Sequence, residues 1–191
     1  QALIDWLLAT HDWQVKREWI ILTPGVVPSL NLVVAALTAE QAGVIVQPPV
    51  YFPFFSAVTS QNRRLIENPL QFANEGNLAY QMDLAQLEEC AKDAEMLLLC
   101  SPHNPAGRVW EKGEHLALLA IAEKHDLTIL SDEIHADLVY PPAQHIPLSR
   151  LSMSSGSASP EASHRIITAV SPSKTFNIPG LGLSALIFPN E

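Results

Sequence analysis

Short apolar runs recur along this chain: Gly43–Val46, Met96–Cys100, residues 127–130, Ile166–Val170 and residues 183–188. Helix-like sequence fills most of the intervals, and this rhythm constrains the fold more than any other feature. A run of four to six aliphatic residues is too short for a buried helix. Its unbroken apolarity is what a strand covered on both faces requires. Asp83 is placed to cap a helix through Leu84, Leu87 and Cys90, and residues 111–125 read as an amphipathic helix with Leu116, Leu119, Ile121 and Ala122 inward. Nearer the start, Leu3 to Leu8 suggest an opening helix and residues 19–22 an extended segment. A turn at Pro24-Gly25 follows, and residues 29–37 have helical periodicity. Residues 64–67 are a further strand candidate, and Pro48-Pro49 ends the strand before them. Strands alternating with helices predict an α/β fold: three α/β/α layers around a mostly parallel central sheet. Residues 149–164, rich in Ser, Ala and Gly, read as a mobile surface loop.

With 191 residues, 48% of them apolar, the chain can bury the core of one good-sized domain. A net charge of −9 argues against nucleic acid or an anionic membrane as partner. No apolar run has the length of a membrane span, and no basic-then-apolar signal opens the chain. Cys90 and Cys100 lack metal-ligand spacing and read as two buried thiols of a cytoplasmic protein. The chain opens on Gln1 inside a helical pattern and stops at Pro189-Asn-Glu191, which suggests a piece of a longer protein.

In open α/β sheets, ligands bind beyond the carboxyl ends of the strands. Polar clusters stand at several of these ends. Residues 19–22 lead into Thr23-Pro-Gly-Val-Val27 and a helix start, a natural anion site. Met96–Cys100 leads into Ser101-Pro-His-Asn-Pro-Ala-Gly-Arg108, and residues 127–130 lead into Ser131-Asp-Glu-Ile-His135. Ile166–Val170 leads into Ser171-Pro-Ser-Lys174. Taken by itself, Lys174 is a solvated loop charge or an amine held in a cleft. An anion cradle, an amide, a carboxylate and an amine on one crevice favour the cleft, and suit a phosphorylated cofactor whose aldehyde an amine holds. Other chemistries fit less well. Ser171-x-x-Lys174 has the spacing of a lysine-activated serine, but Phe176 follows Lys174-Thr175 where that motif has glycine. Asp132, Glu133, His135 and His145 share no metal-ligand register, and no glycine-rich dinucleotide or phosphate loop is present. His11, His115, His125 and His164 read as surface or helix-end residues.

These three clusters, together with Thr23-Pro-Gly-Val-Val-Pro28 and Gln47-Pro-Pro-Val-Tyr51, resemble the class I/II aminotransferase superfamily of fold-type I pyridoxal-phosphate enzymes. Within it, the wording is most similar to the MalY/PatB-like cystathionine β-lyase, or C–S lyase, branch. The resemblance runs along essentially the whole of residues 1–191. It implies the pyridoxal-phosphate-binding large domain, without the N-terminal arm and C-terminal small domain. It also implies roles. Lys174 would carry the cofactor as a Schiff base and then act as general base. Asp132 would pair with the pyridine nitrogen, keeping the ring an electron acceptor. Asn104 would donate to the phenolic oxygen and Tyr51 would stack on the ring. Ser171 and the amides of Val26 and Val27 would hold the phosphate, and His135 would complete the cofactor site.

Two departures from the wider family stand out. His135 occupies a position where many aminotransferases have tyrosine, which favours the lyase branch. Gly182, eight residues after the lysine, occupies the position of a phosphate-clamping arginine. The implied activity is α,β-elimination from an amino acid with sulfur on Cβ, giving thiol, pyruvate and ammonia, in a cytoplasmic homodimer that binds neither nucleic acid nor membrane. An aminotransferase on the same scaffold and a non-catalytic truncated fragment remain the alternatives. The fragment would expose Trp6, Trp13 and the Phe52–Phe55 run.

Overall fold

The computed structural model describes residues 1–74, 77–154 and 164–189. Strands β1 (Ile20–Thr23), β2 (Gly43–Val46), β3 (Arg64–Glu67), β6 (Met96–Cys100), β7 (Thr128–Asp132), β8 (Ile166–Val170) and β9 (Ser184–Ile187) form one sheet in the order β1-β9-β8-β7-β6-β2-β3. From β3 to β8 all pairings are parallel. Strand β9 runs antiparallel to both of its neighbours, β8 and β1. β4 (Gln71–Asn74) and β5 (Asn77–Gln81) make a separate antiparallel ribbon.

Strand alternation assigns side chains to two cores, because successive residues point to opposite faces. Met96, Leu98 and Cys100 of β6 pack with Leu130 of β7 against α2 (Val26–Leu37) and α3 (Pro53–Thr59), through Leu30, Val34, Phe54 and Val58. On the other face Leu97 and Leu99 pack with Ile129 against α4 (Leu84–Ala91), α5 (Lys112–Lys124) and α6 (Leu148–Ser154). The three α/β/α layers are thus present. A third cluster joins α1 (Ala2–His11) to the β8–β9 side through Leu7, Trp13, Trp19, Val170 and Ile187.

Local chemistry sets the helix starts. The Asp83 carboxylate accepts from the Gln86 amide at 2.9 Å and caps α4. Glu111 and Glu114 form a reciprocal capping box at the start of α5. The buried face of α5 is His115, Leu118, Leu119 and Ala122, whereas the predicted Leu116 and Ile121 are only half-buried. His115 turns inward, its Nε2 3.3 Å from Ser101 Oγ, which corrects the reading of that residue as a surface or helix-end histidine. Burial pushes His115 down to about 4, so it is neutral at pH 7. His11 is likewise enclosed, its side chain 8% exposed. Trp13 is core, not exposed, while Phe52 is 74% exposed. Cys100 is buried but Cys90 only partly so.

The expected loop at 149–164 is corrected in its first part, which α6 occupies with Ser149, Leu151 and Ser152 buried. The Ser149 hydroxyl meets Thr168 Oγ1 at 2.7 Å, which satisfies a serine inside the core. Residues 155–163 lie outside the described residues.

Gly43 opens β2 with no room for a side chain: a Cβ there would stand 2.2 Å from the Asp93 carbonyl oxygen and 2.6 Å from Ile66 Cδ1. Gly43→Ala is expected to destabilise the fold by about 1–3 kcal/mol, or more if the backbone cannot shift. Urea denaturation would read this, and an unchanged midpoint would show that the strand gives way easily.

Candidate active site

At the carboxyl ends of β1, β6, β7 and β8 lies a cavity of about 310 Å³. Every residue that sequence assigned to a site lines it: Val26, Val27, Tyr51, Asn104, Asp132, His135, Ser171 and Lys174. Each arrives by a strand or helix end.

The β1–α2 turn forms one wall. Gly25 precedes the helix at φ +152°, a conformation L side chains rarely adopt, and supplies no side-chain cap. No acidic residue sits in the first turn of α2, so the amides of Val26 and Val27 and the positive end of the helix face the cavity uncompensated. Thr23 fixes this turn, its hydroxyl 2.6 Å from Ser29 Oγ and 2.6 Å from Ser184 Oγ.

Asp132 ends β7 and is 4% exposed. Its Oδ1 accepts from the Ile134 amide at 3.1 Å. Burial pushes its carboxyl up to about 7; the neighbouring Glu133 adds to this, while the Ile134 bond and the charge of Lys174 oppose it. A buried carboxylate can accept several more hydrogen bonds than this one, and lowers its energy by meeting a cation. The following Glu133 turns the other way, accepting from Ser131 Oγ at 2.8 Å, His145 Nε2 at 2.8 Å and the Leu148 amide at 3.0 Å. This network fixes the turn that presents Asp132 and His135. Burial, and then the Lys174 charge, lower the His135 pKa and keep its imidazole neutral at pH 7.

The Asn104 loop is tied to Tyr51, whose amide donates to the Asn104 carbonyl at 3.0 Å. His103 Nε2 donates to the Pro49 carbonyl at 2.9 Å, and Trp110 Nε1 to the Cys100 carbonyl at 3.0 Å. These bonds hold the Asn104 side chain and the Tyr51 ring on the same cavity.

Lys174 lies in α7 (Pro172–Thr175), one turn capped by Ser171. The Ser171 hydroxyl accepts from the Ser173 amide at 3.1 Å and lies 2.7 Å from the Leu183 carbonyl, to which it donates. Its one proton is thereby occupied within the protein. Ser173, which sequence reasoning passed over, also lines the cavity, its hydroxyl 2.9 Å from Ser171 Oγ. Its place immediately before the lysine is the signal that could have found it. Gly182 also lines the cavity, at φ +56°, where a Cβ would stand 3.2 Å from the Pro24 carbonyl. The fold has therefore shaped this position for glycine. Arg108 is turned away, paired with Glu114 and lying over the Trp110 ring.

A sheet switch point, an uncapped helix start, an amine and a buried carboxylate on one crevice define an α/β domain built to hold a small anionic, electrophilic ligand. More particularly, the chain belongs to the aminotransferase class I and II family, whose model matches residues 1–190. It is 40% identical over 192 residues to cystathionine β-lyase PatB of Bacillus subtilis, a match covering 100% of this chain and 47% of that protein. The solved structure of cystalysin from Treponema denticola, described as containing a pyridoxal 5'-phosphate cofactor, superposes with a TM-score of 0.90 at 39% identity, over 98% of this chain and 46% of that one. A C–S lyase from Staphylococcus hominis, solved with pyridoxal phosphate bound, gives 0.89 at 28% identity, over 100% and 46%. The chain thus spans about half the length of the curated relatives it matches.

Proposed function

We propose that residues 1–191 are the cofactor-binding domain of a pyridoxal-phosphate-dependent C–S β-lyase. The observation that carries this reading is Asp132, a carboxylate buried at the cavity wall with a single hydrogen-bond donor, in the same cavity as Lys174. The donor set fits the cofactor. Lys174 suits the aldehyde, the α2 amides with the paired Ser171 and Ser173 hydroxyls suit the phosphate, Asp132 suits a protonated ring nitrogen, and Tyr51 offers a ring face.

When bound, pyridoxal phosphate supplies an aldehyde that takes up the substrate amine and a ring that accepts the electrons left at Cα. Lys174 Nζ then removes the Cα proton as general base. Asp132 would supply negative charge to the ring nitrogen and keep it cationic. The neutral His135 ring and the Asn104 amide would steady the phenolic oxygen. The overall reaction would be α,β-elimination, in which an amino acid with sulfur on Cβ and one water give a thiol, pyruvate and ammonia. Branch membership is supported by the relatives named cystathionine β-lyase and by His135.

The substrate class is an amino acid with sulfur on Cβ, the assembly a homodimer and the setting the cytoplasm; free Cys90 and Cys100 accord with a reducing compartment. Among the described residues no helix is long and apolar enough to cross a membrane.

Cystathionine should yield pyruvate and thiol, and borohydride should fix the cofactor on Lys174. Keto-acid-dependent amino transfer without thiol release would leave the aminotransferase reading in place, and a chain that stays colourless with pyridoxal phosphate would leave the non-catalytic one. Gly182→Arg is expected to weaken cofactor binding instead of restoring a clamp, with a stability loss of about 1 kcal/mol from the positive φ. A lower cofactor Kd in that variant would contradict this.

A further inference from the structure

We propose that Asp137 is a positioning residue for Lys174, acting through Thr175 and braced by α1. The inference rests on the reading of Lys174 as the cofactor-bearing amine. Asp137 lies in the loop after β7 that carries Asp132 and His135, yet its carboxylate reaches the lysine segment. Oδ2 accepts from Thr175 Oγ1 at 2.7 Å, and Thr175 is the next residue after Lys174. Oδ1 accepts from His11 Nε2 at 2.9 Å, and the Trp6 indole N–H lies 3.2 and 3.3 Å from the two oxygens. Trp6 reaches the segment a second time, its ring edge-on to Phe176 at 5.4 Å.

One carboxylate therefore joins three pieces of chain: the opening helix, the loop of Asp132 and the turn of Lys174. Its side chain is 18% exposed, and that of His11 is 8%. Burial alone would raise its pKa, but the bonds from His11, Thr175 and Trp6 outweigh that and keep it ionised. Bonds to an ionised acceptor are roughly twice as strong as neutral ones.

The need for such a brace follows from α7 itself. A single turn of four residues does not hold its own shape. Ser171 caps it before Lys174, and Thr175 anchors it after. Lys174 lies between the two ties, so the Thr175 bond sets the register of the amine against Asp132. Displacing a reacting group by about 1 Å can cost on the order of 100-fold in rate. The anchor occupies the wall of a second cavity, of about 320 Å³, between α1 and the sheet. It approaches the lysine from outside the substrate space.

Thr175→Val removes the hydroxyl and keeps the shape, Thr175→Ser keeps the hydroxyl, and Asp137→Asn removes the charge. In the cofactor-free chain, amide hydrogen exchange over residues 172–178 should accelerate about tenfold in the Val and Asn variants and stay at the wild-type rate in the Ser variant, a change of the size expected for losing one charge-assisted bond. With pyridoxal phosphate, the first two should show a cofactor Kd raised about fivefold or more and a displaced pH midpoint of the lysine-linked absorbance, with Ser restoring both. Unchanged exchange and midpoint in Thr175→Val, or no rescue by Ser, would overturn the proposal. A wild-type chain that takes up no pyridoxal phosphate would instead remove the proposed function, while the exchange data still decide on the brace.

Discussion

Lys174→Ala is expected to abolish both retention of pyridoxal phosphate through reduction and release of pyruvate from cystathionine. In the proposed function the covalent hold and the Cα base reside in one nitrogen, so a single substitution would remove two contributions. Positioned proton transfer alone accounts for about 10²–10⁴ in rate, and losing the covalent hold as well sets the expected fall at 10³-fold or beyond. Stability should change little, because Lys174 is exposed to the cavity and makes no side-chain bond that the turn depends on. A variant that still carries covalently bound cofactor after borohydride and dialysis, or loses less than about tenfold in rate, would remove Lys174 from the mechanism. The paired outcome, lost chemistry with a retained fold, is what separates a functional lysine from a structural one.

Asp132→Asn should split function and stability in opposite directions. Burial lifts the Asp132 carboxyl to about 7 in the folded, cofactor-free protein, against 3.8 for an ordinary aspartate. Between those values the folded state holds a proton that the unfolded chain releases. Stability is therefore fullest below about pH 4 as far as this group is concerned, and declines as pH rises toward 7. At 1.36 kcal/mol per pH unit the decline is about 4 kcal/mol, present in full above pH 7. Asn carries no such linkage. Cofactor-free Asp132→Asn should accordingly be more stable than wild type at pH 8, by up to about 4 kcal/mol, and nearly equal at pH 4. Urea denaturation at the two pH values measures this directly. Asn cannot supply negative charge to a cationic ring nitrogen, so elimination should fall by about 100-fold or more in the same variant. A variant destabilised at pH 8 would show that Asp132 is stabilising where it stands.

Much of this is legible in the sequence. Strands β2, β6, β7 and β8 are covered on both faces, so each appears in sequence as an apolar run, and each run's end marks where a polar cluster joins the crevice. Asn104, Asp132 and Lys174 were found in that way. Features resting on distant partners were not. His115 is buried because Ser101 waits for it on another element. The Ser171 hydroxyl is held by the Leu183 carbonyl, twelve residues onward, and no spacing rule announces that partner. The short β4–β5 ribbon has too few apolar residues to announce itself. Asp137 gathers donors from residues 6, 11 and 175, and no spacing rule links those numbers.

The antiparallel strand β9 governs when the crevice can come into being. The anion-holding turn after β1 and the lysine turn after β8 belong to strands that never touch; β9 separates and joins them, and Thr23 meets Ser184 across 161 residues. Nascent chain leaving a ribosome shows the anion turn early, then the amide, the carboxylate and the amine in succession. Within the sheet, the strand of the first reaches the strand of the last only through residues 184–187, which pair with both. Contacts so far apart in sequence form late and slowly. The turn after β1 thus takes its place in the sheet beside the lysine turn only through these four residues, one of which, Ser184, also holds Thr23.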